Sequence, residues 1–327
     1  MLEGVIRRGR RWVGAKLQED NMRRLGIQTT TRLGILHNSL IWGDAQARYR
    51  RLYERGFDAL LRANGAPVGP IREMVDGVHL DTTRTLPHLD RVLAEADELI
   101  AERALGRHVP PGTYRAFFQD LIQPGDLERF PAFLDFILSS DVIATAAHHL
   151  RSVPILSTTL PPGVRFIESY AGYEPGSIGK YKDSQLFHMD FYSRVNVYVI
   201  LVLRDITPDM GPFRWLPRST SQRVARRLRY WTKGVRYRMP DEAIYAHVDP
   251  AEVETLACPR GTVLFIDPSA CLHYGSRDCV KPRYMLMYGF TRPCRTDWSE
   301  HFLEPKRYAA RPGDPRLRRL VLRRGGA

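Results

Sequence analysis

The spacing of apolar residues changes character part-way along this chain. In the first half it is helical. After Asn38-Ser39, the residues Ile41, Ala45, Tyr49, Leu52, Phe57, Leu60 and Leu61 recur at turns of a helix, and Asn64-Gly65 supplies a stop. Leu89, Val92, Leu93, Ala96, Leu99 and Ile100 form a second stripe, closed by Gly106. Asp126 is placed to cap a third helix running to about Leu138, with Pro131 as an irregularity inside it. Ser140 or Asp141 caps a fourth, through His149. Residues 68–85 have no clear period and are predicted to be loop.

From Pro154 onward the pattern becomes that of short strands. Ile155–Leu160, Val164–Tyr170, Leu186–Phe191, Val195–Leu203, Phe213–Leu216, Thr262–Ile266 and Tyr284–Thr291 are β-rich runs. Pro161-Pro162-Gly163, Pro208 to Pro212 and Pro259 to Gly261 separate them. Many short strands point to a sandwich or jelly roll, and helices preceding strands point to a helical layer backing a β core. No internal repeat or low-complexity stretch interrupts this. The expected organisation is one catalytic domain over 1–327: a mostly helical layer over 1–150, a jelly-roll core over 151–295 and a basic C-terminal tail over 296–327.

Composition agrees with a globular chain. Hydrophobic residues are 43% and charged residues 26%, enough for a sizeable core and incompatible with wholesale disorder or a fibrous fold. The longest near-apolar run, Val195 to Leu203, falls well short of the roughly 20 residues of a membrane span. The first residues carry Arg7, Arg8, Arg10 and Arg11 with no apolar stretch after them, unlike a secretory signal. The four cysteines show no CxxC spacing, and a reduced, cytoplasmic setting is expected.

The net charge of +13 is unevenly spread. Residues 1–24 contribute +4 and residues 305–327 contribute +7, as expected of solvated arms. A third basic patch lies inside the chain, from Arg223 to Arg238, with Arg226 and Arg227 among its seven cations and no acid. No zinc-finger, RNP or KH pattern accompanies the charge, so nucleic acid is not the expected partner.

The chemistry concentrates in the β-rich half. His188-Met189-Asp190, on a strand, projects an imidazole and a carboxylate from one face. His273 follows the run ending at Ile266. Two histidines and one carboxylate form the facial triad of non-haem Fe(II) oxygenases, which leaves coordination positions open for a bidentate cosubstrate and O2. Arg283 lies ten residues after His273, at the start of the next strand. A cosubstrate with a distal carboxylate, such as 2-oxoglutarate, needs a fixed fork of this kind that stays charged when desolvated.

Phe187-His188-Met189-Asp190, then Gly211-Pro212 through Pro217-Arg218-Ser219, then His273 and Arg283, resemble the phytanoyl-CoA dioxygenase family over roughly residues 140–292. The helix Asp141–Leu150 followed by Ile155–Leu160 also sits where that family has a helix and its first strand. Two turns depart from the family pattern. Pro217-Arg218-Ser219-Thr220 replaces its Pro-Gly-Ser-His, and Ser276 comes one place later than the family's serine. The resemblance implies a double-stranded β-helix of the cupin-like, jelly-roll kind. It also implies Fe(II) held by His188, Asp190 and His273, and 2-oxoglutarate held by Arg283 with Ser276 in support. The implied activity is that of a dioxygenase, most simply a hydroxylase, releasing succinate and CO2. Asp190 argues against a halogenase, since related halogenases carry a small residue there.

Other residues are placed around this site. Gln185, just before the HxD segment, is a candidate hydrogen-bond partner of substrate or cosubstrate. Arg226 and Arg227 are candidates for recognising an anionic or carrier-linked substrate, since the family's corresponding insertion covers the active-site mouth. A second HxD, His79-Leu80-Asp81, lies in the segment read as loop and is rejected as the ligand pair. His148-His149 reads as a helix end. Tyr170, Phe187, Tyr192, Tyr198 and Trp215 read as core. Two other classes fit the same residues: a cupin-type metalloenzyme that does not use 2-oxoglutarate, and a basic binding protein with a vestigial metal site. Arg283 separates the first, and steeply salt-dependent binding would mark the second.

Overall fold

The computed structural model describes residues 22–106, 117–156, 163–171, 181–296 and 308–322. The N-terminal basic stretch and the end of the run expected at Ile155–Leu160 lie outside them. Two antiparallel sheets face each other, as a jelly roll requires. The larger has the order β1 (Val78–Asp81), β8 (Val263–Ile266), β5 (Val197–Val202), β10 (Arg283–Thr291), β4 (Val164–Ser169) and β2 (Phe118–Asp120), with β3 (Ile155–Leu156) also on β10. The smaller joins β7 (Glu254–Thr255), β6 (Arg214–Trp215) and β9 (His273–Tyr274).

Strand alternation divides the large sheet cleanly. Val197, Val199 and Leu201 of β5, Phe265 of β8, and Leu286, Tyr288 and Phe290 of β10 point outward into the main core. That core is closed by the helices α1 (Ile27–Ala63), α2 (Leu89–Arg103), α4 (Ala132–Ile137) and α5 (Ser140–Leu150). Tyr198, Ile200, Val202, Leu264, Ile266 and Met285 point inward and pack with Phe213 and Trp215 of the small-sheet side. The functional cavity opens on this inner face.

Several expectations are corrected. Residues 68–85 are not all loop: Val78–Asp81 pairs in register with β8, so the second HxD lies on a strand. Its His79 stands opposite Phe265 and packs against that ring on the outer face, away from the cavity. Asp81 accepts from Arg72 and from Thr83. The predicted third helix is two, α3 (Asp126–Arg129) and α4, broken at Pro131, whose ring cannot continue an α ladder. The turn Pro217-Arg218-Ser219 opens a helix, α6 (Arg218–Arg227), so the first part of the basic patch is helical. Its N-terminus is satisfied from far away: Ser219 donates its backbone N–H (2.9 Å) and its hydroxyl (2.6 Å) to the Asp76 carboxylate. After a short helix α7 (Asp241–Tyr245), Arg316–Leu322 is a helix, α8, rather than a solvated arm. It buries Leu317, Leu320 and Val321, and Tyr49 donates to the Leu320 carbonyl at 3.0 Å.

Candidate metal and cosubstrate site

Two chain segments carry the metal-ligand candidates, and they are joined backbone to backbone. His188 and His273 exchange both N–H···O=C bonds, at 3.1 and 3.0 Å, placing the two imidazoles 4.4 Å apart between ring centres. The segment Leu186–Phe191 is therefore not the continuous strand its pattern predicts. It pairs only through isolated bridges, Phe187 to Met239 and His188 to His273. Two residues on, Asp190 donates its N–H to the Pro268 carbonyl at 2.8 Å, and proline can return no donor to extend a ladder.

The ligand atoms of His188, Asp190 and His273 all lie within 4.8 Å of one another, and all three residues are buried. Each imidazole is oriented by its backbone. Nδ1 of His188 donates to the Leu186 carbonyl at 2.8 Å, and Nδ1 of His273 donates to the Cys271 carbonyl at 2.9 Å. This fixes the tautomer whose Nε2 lone pair is free for a metal. Each Nε2 stands 3.8 Å from a different oxygen of Asp190. Burial, then the proximity of His273, pushes His188 down to about 3, so its ring is neutral, the form that ligates.

Asp190 is held by two phenols. Tyr198 donates to Oδ2 at 2.5 Å and Tyr237 to Oδ1 at 3.3 Å, while the Asn196 amide donates to its backbone carbonyl at 3.1 Å. Burial and the adjacent Asp190 raise both tyrosines well above the usual phenol range, so both remain donors. Sequence reasoning assigned Tyr198 to the core and did not single out Tyr237.

Arg283 is 2% exposed and lines the same cavity as the triad. Its Nη2 donates to the hydroxyls of Ser169 (2.9 Å) and Ser276 (2.8 Å), which also bond each other. Its Nε and Nη1 are buried with no hydrogen-bond partner. Among the described residues no carboxylate pairs with it, and burial lowers it only to about 10, so it keeps its charge at neutral pH. A buried, partnerless guanidinium is costly unless an anion completes it. The donor set thus fits a divalent cation at the triad and a carboxylate at Arg283. The cavity joining them has a volume of about 110 Å³, room for several water-sized groups, and Phe213, Met285 and Met287 supply apolar lining.

The other candidates divide between this cavity and its surroundings. Ser276, at φ 60, holds Arg283 in place. Gln185 is 1% exposed and its amide is fully engaged in the protein: Nε2 donates to the Ser276 carbonyl at 2.6 Å and Oε1 accepts from Lys182 N–H at 3.2 Å. It braces the Ser276 turn and does not line the cavity, which corrects its assignment as a cosubstrate contact. Arg226 and Arg227 are exposed on α6 and do not line the cavity either; Arg227 donates to the His247 carbonyl at 3.3 Å. Among the described residues, Arg165 and Arg238 line it besides Arg283. His149 does more than end a helix: its Nε2 lies 2.9 Å from Asp267, which also receives Arg218 at 3.1 Å.

No protein-family model matches the sequence, and no curated protein sequence matches it. Among solved structures, the chain is similar to AviO1 from Streptomyces viridochromogenes Tue57, at 18% identity, covering 67% of this chain and 91% of that one, with a TM-score of 0.39. It is also similar to EctD from S. alaskensis with 2-oxoglutarate and 5-hydroxyectoine (16% identity, 74% and 83% covered, TM-score 0.43). A third is the non-haem alpha-ketoglutarate-dependent epimerase SnoN from nogalamycin biosynthesis (15%, 80% and 94%, TM-score 0.42). These likenesses are distant, and the functional reading rests on the side chains described above.

Proposed function

We propose that this chain is a non-haem Fe(II)- and 2-oxoglutarate-dependent oxygenase of the phytanoyl-CoA dioxygenase kind that hydroxylates a small, anionic molecule. The observation that carries the reading is the buried Arg283, without a counter-ion, in the same cavity as a His-Asp-His cluster. His188, Asp190 and His273 hold the metal through two Nε2 atoms and one carboxylate oxygen, leaving open positions. Arg283 takes the distal carboxylate of 2-oxoglutarate through its unpartnered Nε and Nη1, with Ser169 and Ser276 fixing its other nitrogen. Fe(II) with 2-oxoglutarate and O2 supplies the oxidising power: one oxygen atom goes to succinate and one to the substrate, with loss of CO2. Phe213, against the His273 ring, and the two methionines keep bulk water off the site. The carboxylate at Asp190 leaves no vacant position for a halide, in keeping with hydroxylation.

Anaerobic titration of the protein with Fe(II) and then 2-oxoglutarate tests this. A visible metal-to-ligand charge-transfer band is expected, and it should be absent from His188→Ala. In Arg283→Ala the concentration of 2-oxoglutarate for half-saturation should rise about tenfold or more, the equivalent of one lost charge-assisted hydrogen bond. No band in the wild-type protein, or a band surviving His188→Ala, refutes the proposal. Unchanged 2-oxoglutarate binding in Arg283→Ala leaves a metalloenzyme of another kind.

A further inference from the structure

We infer that Asp267, backed by His149 and Arg218, is a positioning residue for the metal site: its carboxylate fixes the turn against which two of the three ligands are braced. The inference rests on the reading above only in taking His188, Asp190 and His273 as the ligands.

Asp267 follows the last residue of β8 and donates its N–H to the Gly77 carbonyl, just before β1, at 2.9 Å. The turn Asp267–Cys271 then reaches two ligands. The Pro268 carbonyl accepts from the Asp190 N–H at 2.8 Å. The Cys271 carbonyl accepts from Nδ1 of His273 at 2.9 Å, and the Cys271 N–H returns to the Asp267 carbonyl at 3.1 Å. A third connection runs through the fully buried Asn196. Its N–H donates to Asp267 Oδ1 at 3.4 Å, and its amide donates to the Asp190 carbonyl at 3.1 Å. Both backbone groups of Asp190 are therefore held from the Asp267 side, and so is the ring orientation of His273.

The Asp267 carboxylate is buried, does not line the cavity, and is surrounded by donors. Besides Asn196, Oδ1 accepts from the Ser269 N–H at 3.0 Å and from the Ser269 hydroxyl at 2.5 Å. Oδ2 accepts from Nη2 of Arg218, on α6, at 3.1 Å, and from Nε2 of His149, on α5, at 2.9 Å. An ionised carboxylate can only accept, so the His149 proton sits on Nε2. Two helices from different layers are thereby tied to the turn that carries the ligands' anchors. An amide of the same shape has a single accepting end. Whichever way an asparagine were turned, its Nδ2 would face donors, either Arg218 and His149 or Ser269 and Asn196. The arrangement calls for a carboxylate, and shape alone does not satisfy it.

The test is proton NMR of the imidazole N–H groups in the metal-free protein, followed by titration with Co(II) alone. In the wild type, the Nδ1–H of His273, identified by its loss in His273→Gln, should be protected from exchange with solvent. In Asp267→Asn it should exchange about tenfold or more faster, and Co(II) should bind about tenfold or more weakly, with altered visible bands. Asp81→Asn is the control. Asp81 is another buried aspartate paired with an arginine, and its partners Arg72 and Thr83 do not line the cavity. That variant should lower the urea midpoint and leave the ring proton and the Co(II) bands as in wild type. If Asp267→Asn does not fold, Arg218→Met, which removes one donor from a half-buried position, should show the same changes at about threefold. Wild-type exchange and Co(II) bands in Asp267→Asn, or in Arg218→Met where that variant replaces it, overturn the inference. So do equal changes in Asp81→Asn. The ring-proton measurement needs neither metal nor 2-oxoglutarate, so it can fail while the charge-transfer band appears, and the converse also holds.

Discussion

The reactivity of the proposed site depends on how firmly one carboxylate is held. Asp190 has two oxygens, each 3.8 Å from a different histidine Nε2, and symmetrical use of both would consume an open metal position. The phenols break the symmetry. Tyr198 stands on β5 in the inner core and grips Oδ2 at 2.5 Å, whereas Tyr237 reaches Oδ1 only at 3.3 Å. Oδ1 would thus be the oxygen left to a metal bound at these residues. Tyr198→Phe keeps the ring and removes the stronger donor. It should weaken Co(II) binding by about tenfold or more, as loss of an outer-shell partner does, and alter the visible bands of the Co(II) protein. Tyr237→Phe should weaken it less. Equal Co(II) affinity and spectrum in wild type and Tyr198→Phe would falsify the assignment. Neither phenol could be found from the sequence. A tyrosine in a β-rich run has the pattern of core, and the bond from Tyr237 spans 47 residues of chain.

At the scale of elements, the segment that carries His188 and Asp190 is tied down by a helix far from it in sequence. Thr296 donates its N–H to the Tyr192 carbonyl at 3.0 Å and its hydroxyl to the Phe191 carbonyl, just beyond Asp190. Asn38 of α1 in turn donates to the Arg295 carbonyl at 3.0 Å. Gly34, one turn earlier on α1, lies so close to Thr296 that an added Cβ would sit 2.0 Å from its carbonyl oxygen. Gly34→Ala must therefore push α1 off the segment 295–296 that steadies residues 191–192. The expected cost is about 1–3 kcal/mol, read as a lowered urea midpoint, together with weaker Co(II) binding. An unchanged midpoint would mean that the helix does not clamp this segment. The periodicity of Ile41 to Leu61 located the second half of α1. Its first half leaves Leu36, Leu40 and Ile41 exposed and buries Ile27, Thr30, Gly34 and Asn38, of which only Ile27 is a large apolar residue, so no apolar stripe marked its start. The triad and Arg283 were legible because their chemistry resides in residue type and order. The Leu186–Phe191 strand, the turn at α6 and the role of Gln185 were misread because each depends on a distant partner: Pro268, Asp76 and the Ser276 turn.

Over the whole molecule, excess positive charge makes the few well-buried acids unusually consequential. Asp81 joins β1 to Arg72, Asp126 joins α3 to Arg103 of α2, and Asp135 of α4 receives both Arg311 and Arg318, which fastens α8 to the helical layer. Burial raises each of these carboxyls. Hydrogen bonds and arginine charges outweigh it, and all three end below the ordinary aspartate value. A depressed folded value means that the unfolded chain binds protons first as pH falls. Their contribution is complete above about pH 5 and is lost as pH falls from the unfolded value, about 3.9, through the folded ones. Protonation also leaves the paired arginines of a chain at +13 less compensated, which acts in the same direction. The urea midpoint should therefore hold from pH 7 to about pH 5 and fall steeply below pH 4. Asp135→Asn should start lower at pH 7, because Arg311 and Arg318 lose their shared partner, and should fall less between pH 5 and pH 3. Parallel curves for the two proteins would place the acid sensitivity elsewhere than in the staple between α4 and α8.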